Sequence, residues 1–95
     1  MYATLTTLTF KSAQDRARAA SNFADLLPLA RDLAGFHALT LIERQAATAT
    51  MVTLYGSEEE AVSGAERLRP HLTEAVGSHL TGPPERAAGM VLLHG

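Results

Sequence analysis

The 95-residue sequence has no cysteine and no tryptophan, a single lysine (Lys11) and a single asparagine (Asn22). Without cysteine there can be no disulfide framework, thiolate metal site or cysteine nucleophile. The chain has only three Phe and two Tyr, so its 46% hydrophobic content must make a core of Leu, Ala and Val. Such a small domain buries a modest share of its surface and gains from covering apolar area with a partner. Charge of one sign is also lacking: eight basic and ten acidic residues give a formal −2, with no basic stripe of the kind a phosphate backbone requires, so nucleic acid is not an expected partner. No apolar run approaches the roughly 20 residues that span a bilayer, and no charged n-region with a long apolar h-region opens the sequence. The expectation is a soluble, cytoplasmic protein without membrane association. No Ser/His/Asp arrangement, Gly-rich phosphate loop or acidic metal cluster is present, so hydrolase, nucleotide-binding and metalloenzyme readings have little support, and neither cofactor nor metal is expected.

What is present reads as alternating strands and helices. Tyr2 to Phe10 is Thr-rich and β-branched, the composition of a strand. Ser12 then stands as a helix N-cap with Asp15 three residues on, a short variant of the capping box. Ala19, Ala20, Phe23, Leu26, Leu27, Ala30, Leu33 and Ala34 follow at three- and four-residue spacing, the apolar stripe of a helix that Gly35 closes. Pro28 lies within it and should kink or split it, because its ring clashes with the Ala24 carbonyl. Phe36 to Arg44 and Ala49 to Tyr55 read as a hairpin joined by Gln45 to Thr48. Ser57 and Glu60 form a full capping box ahead of a second helix, with stripe Ala61, Val62, Ala65, Leu68, Leu72, Val76 and Leu80. Pro70 should interrupt this helix midway, and Gly82-Pro83-Pro84 should stop it. Ala87 to His94 is then a fourth strand.

Strand, helix, strand, strand, helix, strand is the split βαβ order of an α+β, ferredoxin-like domain spanning residues 1–95, an antiparallel sheet with both helices on one face. The other face should be polar if it meets water. Yet Met51 and Tyr55 oppose Val52 and Leu54 on the third strand, and Ala87, Gly89, Val91 and Leu93 oppose Ala88, Met90, Leu92 and His94 on the fourth. Apolar residues on both sides predict a cover, most simply a second copy of the chain, and an Asp at Val91 or Leu93 should then break the dimer.

The segment LLPLARDLAGFHALTLIERQAATATMVTLYGSEEEA, with its Pro-containing helix ending at Gly35-Phe36, its hairpin, and Tyr55-Gly56-Ser57-Glu58 where a Trp-x-Ser-x-Glu type string is common, resembles the antibiotic biosynthesis monooxygenase-like group of the dimeric α/β-barrel superfamily. The resemblance covers almost the whole chain. It implies a homodimer whose two sheets pack face to face into a barrel, with a pocket between sheet and helices in each subunit. It also implies the family's activities: cofactor-independent monooxygenation of polycyclic phenols, haem degradation, or none known. The haem-degrading pattern of strand Asn, helix Trp and helix His is incomplete here.

Tyr55, His71 and Asn22 are the candidate site residues, Tyr55 offering a hydroxyl at the end of a strand, His71 a base and Asn22 a hydrogen bond. Arg86 is a candidate for stabilising an oxygen anion. His71 and His79 lie about two turns apart and can border one helix stripe, although a boundary position with one nitrogen in water is the more common outcome. His37 reads as structural and His94 as terminal. Two functions follow: a cofactor-independent monooxygenase acting on a hydrophobic aromatic substrate, or a non-catalytic dimeric module that binds a small ligand or a protein. An open pocket on which Tyr55 and a His converge favours the first; a filled interior favours the second.

Overall fold

The computed structural model describes residues 1–95. Its element order is β1 (Tyr2–Thr9), α1 (Ala13–Phe23), α2 (Leu26–Arg31), β2 (Phe36–Glu43), β3 (Thr48–Tyr55), α3 (Glu58–Val76), a 3-10 turn (Gly77–His79) and β4 (Glu85–Met90). The strands form one antiparallel sheet in the order β2-β3-β1-β4, with the helices on one face, which is the expected α+β ferredoxin-like layout. No helix is long and apolar enough to cross a membrane.

Local chemistry sets the element ends. Ser12 accepts from the Asp15 N–H at 3.0 Å and Ser57 from the Glu60 N–H at 3.2 Å, so both expected caps form. Gly35 adopts φ +73° at the turn into β2, a conformation that costs glycine little. The first helix is indeed split, and the break falls at Ala24-Asp25. Pro28 thereby sits in the first turn of α2, where its missing N–H has no intrahelical partner to lose. Pro70 behaves otherwise than expected, because α3 runs unbroken through it. Pro70 and Glu66 both face water, so the Glu66 carbonyl that loses its donor is hydrated instead of buried. Helix α3 also stops earlier than the stripe implied. Leu80 leaves the helix to form a bridge with Phe10, Gly64 is buried in the stripe, and Val62 is exposed.

The fourth strand is displaced from its expected range. It begins at Glu85, since an edge strand tolerates charge, and ends at Met90. Beyond it the Val91 N–H bonds to the Met1 carbonyl, while Leu92 and Leu93 are exposed. Val91 and Leu93 therefore do not belong to a strand face, and the expectation that they form the outer apolar surface is corrected. That surface comes from other strands. In the register of β1 with β3, Leu5 opposes Val52 and Ala3 opposes Leu54. Leu5 and Ile42 are 41% and 45% exposed. The side chains of Tyr2, Thr4, Thr6 and Leu8 point the other way, toward the helices, as do Ala49, Met51, Thr53 and Tyr55.

The core does not fill the space under the helices evenly. Leu8, Phe10, Phe23, Leu26, Leu72 and Val76 pack into one buried cluster around the end of the sheet where β1 finishes. Toward the other end, the helix-facing positions of β1 and β3 carry Thr4, Thr6 and Thr53. Short hydroxyl side chains stand there where Leu or Phe would complete the packing, and space is left.

Candidate functional site

That space is a cavity of about 200 Å³ between the sheet and α3. Met51, Leu68 and Leu72 give it an apolar side. Thr4, Thr6, Thr53 and Tyr55 line it from the sheet, and Ala65 and Ala88 keep it open by being small. Arg69 of α3 and Arg86 of β4 border it. The register pairs Arg86 with Thr6 and Ala88 with Thr4, so the β4 edge forms one wall. All of β4 is exposed, because no helix crosses it, and the cavity opens to solvent on that side.

Tyr55 is the most enclosed polar group of the site, with 1% of its surface exposed. Its ring meets Phe36 edge-on at a centroid distance of 6.2 Å. On its other side it lies against Gly64, where an added Cβ would come within 2.5 Å of the ring. The glycine is what lets α3 descend onto the tyrosine. Burial pushes the Tyr55 phenol above its usual pKa, so at neutral pH it is a neutral hydroxyl that can donate or accept a hydrogen bond.

Thr6, Thr53 and Tyr55 are all more than nine-tenths buried. Their hydroxyls take part in none of the side-chain hydrogen bonds of the chain. No side-chain polar atom is sealed from solvent without a partner, so these three hydroxyls open onto the cavity. Buried polar groups that the protein itself leaves free are the feature a ligand-binding wall requires.

The sequence candidates separate in space. Tyr55 and Arg86 meet at the cavity, whereas His71 is exposed on α3 and is not part of its lining. Asn22 is also outside it; its amide donates to the Ala75 carbonyl at 2.8 Å and ties α1 to α3. His79 lies on the 3-10 turn, with Nδ1 2.8 Å from the Asp15 carboxylate. Hydrogen bonds from His79 and Ser12 hold the Asp15 carboxyl below its usual pKa, and the His79–Asp15 contact clasps the start of α1 to the end of the α3 region. His37 sits at the bulge between Phe36 and Ala38, close to Gly56. No group of three or more His, Cys, Asp or Glu is placed to hold a metal ion. The residues that sequence reasoning missed are Thr4, Thr6, Thr53 and Arg69. Thr at alternate positions of a strand was the available signal, because it puts hydroxyls on the face where packing demands hydrocarbon.

No family model matches the chain, and no curated protein matches it by sequence. Solved structures match over nearly its full length. One, described as a putative antibiotic biosynthesis monooxygenase from Bordetella bronchiseptica, has a TM-score of 0.82 at 17% identity, covering 97% of each chain. The chain carries the fold of the antibiotic biosynthesis monooxygenase-like proteins. The same fold is found in a monooxygenase from the gene ActVA-Orf6 of Streptomyces coelicolor, solved with the ligand nanaomycin D, at a TM-score of 0.76 and 18% identity over 98% of this chain and 92% of that one. A protein from an uncultured marine organism, described as dimeric and ferredoxin-like, also has it, with a TM-score of 0.76, 14% identity and coverage of 98% and 89%. The resemblance read from the sequence is thus borne out at the level of fold.

Proposed function

We propose that this chain is a homodimeric, cofactor-independent monooxygenase of the antibiotic biosynthesis monooxygenase-like kind, acting on a small aromatic substrate in the cavity between sheet and α3. The observation that carries the reading is the set of buried hydroxyls of Thr6, Thr53 and Tyr55 open to an otherwise apolar pocket. The fold shared with a monooxygenase solved in complex with the ligand nanaomycin D supports it. The apolar outer sheet face around Leu5, Val52, Leu54 and Ile42, together with the dimeric ferredoxin-like neighbour, supports the homodimer.

In such a reaction the substrate supplies the electrons. A phenolate carbon bonds to one atom of O₂, the O–O bond breaks, and one oxygen remains in the quinone product. The other leaves as water with the two hydrogens that the phenol gives up. The protein's part is to orient the ring and to stabilise negative charge on oxygen, through Tyr55 donating its hydroxyl and Arg86 and Arg69 facing the pocket. His71 and Asn22 have no part in this proposal, because neither lines the cavity.

A second reading, a dimeric small-ligand-binding module without catalysis, is favoured by one observation: no histidine or carboxylate lines the cavity, so no protein group there is a general base. Oxygen uptake with dihydroxynaphthalenes separates the two. The monooxygenase consumes one O₂ for each quinone formed, and Tyr55→Phe, which keeps the ring packing on Gly64, lowers turnover about tenfold or more with the melting temperature unchanged. Saturable binding without oxygen uptake would leave the binding module.

A further inference from the structure

We infer that this cavity selects its ligand by negative charge: it takes a one- or two-ring aromatic anion, with its ring against Met51, Leu68 and Leu72 and its charged group between Arg69 and Arg86. The inference rests on the reading of this cavity as the ligand site and specifies what enters it.

Three observations carry it. The first is charge placement. Arg69 comes from α3 and Arg86 from β4, and both border the same opening, where no aspartate or glutamate joins them. The second is that neither is already neutralised. The carboxylates in close contact with a basic side chain are Glu43, with Arg16, and Asp15, with His79, so the two guanidiniums at the cavity are free to meet a ligand. Other arginines of the fold are used structurally, as Arg16 is when it also donates to the Arg44 carbonyl. The third is the absence of a base among the lining residues. A substrate that must react as an oxyanion therefore has to arrive ionised, and two fixed positive charges beside an apolar interior favour that form over the neutral one. The size of the occupant follows from the cavity: about 200 Å³ lies below the roughly 300–1,000 Å³ of sites for drug-sized ligands, which suits one or two rings.

Guanidinium also suits the task chemically. It stays charged across the accessible pH range, its planar fork matches a carboxylate or a phenolate with a neighbouring oxygen, and it can lie over an aromatic face. A carboxylate and an enolate share this recognition chemistry, and a pair of probes with the same ring system isolates it.

The test is calorimetric titration at pH 7.5 with 2-naphthoate and with its neutral isostere 2-naphthamide, on the wild type and on Arg69→Gln, Arg86→Gln and Arg67→Gln. Arg67 is on α3 but outside this cavity, bordering the acidic hollow near Asp32 and Glu59. The expected result is naphthoate binding about tenfold tighter than the amide, the preference lost in Arg86→Gln and Arg69→Gln, and Arg67→Gln behaving as wild type. Amide affinity should change far less than naphthoate affinity in the two cavity variants, and circular dichroism verifies that all four proteins are folded. Equal affinities for the two probes, untouched by either cavity arginine, would overturn charge selection while leaving the cavity as an aromatic site. An equal loss in Arg67→Gln would overturn it in favour of general surface charge. Failure of both probes to bind wild type would remove the site itself, and this inference with it.

Discussion

Replacing Gly64 with Val destabilises the protein by about 2 kcal/mol, and the melting temperature falls by roughly 10 °C. A Cβ at this position would lie 2.5 Å from Tyr55 Cε1 and 2.6 Å from its hydroxyl oxygen, well inside van der Waals contact. The tyrosine is 1% exposed with Phe36 against its ring, so it can yield only toward the cavity it lines and at the loss of its packing. Relief comes from lifting α3 off the sheet or from driving the ring into the cavity, an overpacking cost of about 1–3 kcal/mol either way. Better helix propensity of Val over Gly returns less than about 1 kcal/mol, so steric strain wins. Gly77→Ala is the control: an added Cβ there meets only Thr73 Cγ2 at 3.4 Å, an ordinary contact. Thermal unfolding followed by circular dichroism measures both. A Gly64→Val protein as stable as wild type would mean that α3 does not rest on Tyr55 in this way.

Leu5→Asp is expected to convert the proposed homodimer to a monomer, with dimer affinity reduced at least about 100-fold. Leu5 is at the middle of β1 on the face away from the helices, between Val52 of β3 and Ala87 of β4 in the strand register. A carboxylate there interrupts the apolar patch, and in an isologous interface it appears twice. An uncompensated charge buried in such a contact costs about 3–5 kcal/mol. On a face already open to water the same substitution leaves the monomer fold intact, so circular dichroism should be unchanged. Light scattering reads the outcome: wild type at twice the 10.1 kDa chain mass and Leu5→Asp at the chain mass. Wild type at the chain mass, or a variant that remains dimeric, contradicts the proposed sheet-to-sheet pairing.

Sequence periodicity captured the element order because each element announces itself locally. The Ser12 and Ser57 caps, the Gly35 turn and the alternation of β3 are short-range signals, and all are realised. The errors arise where tertiary context decides. Pro70 is tolerated only because its side of α3 faces water, which no local pattern reveals. The hairpin turn places Ala46 and Ala47 at φ +53° and +58°, a left-handed conformation for which Asn-Gly is the usual signal and Ala-Ala gives none. The displaced β4 followed from giving weight to the apolar run Val91-Leu92-Leu93, when pairing with Tyr2–Thr7 of β1 instead selects the charged start Glu85-Arg86.

The site was legible in part for the same reason. Tyr55 and Arg86 could be named because each is a distinctive residue in its segment. His71 was drawn toward the pocket by its proximity to Leu68 and Leu72 in the sequence, but the helix turns it outward. Asn22 reaches across to the Ala75 carbonyl, a partner 53 residues away. What makes the cavity is the presence of threonine where the core calls for leucine, and this becomes visible only once the register puts Thr4 beside Thr53.

The Thr- and Tyr-lined space under α3 is the proposed binding place of a small aromatic ligand. Titrating isotopically labelled protein with 2-naphthol and following backbone amide resonances tests it most directly. Saturable shifts are expected, concentrated at Thr4, Thr6, Thr53, Tyr55 and Arg86, with the exposed side of α3 around His71 unaffected. Shifts confined to the outer sheet face around Leu5 and Ile42, or no saturable shift at all, would contradict it.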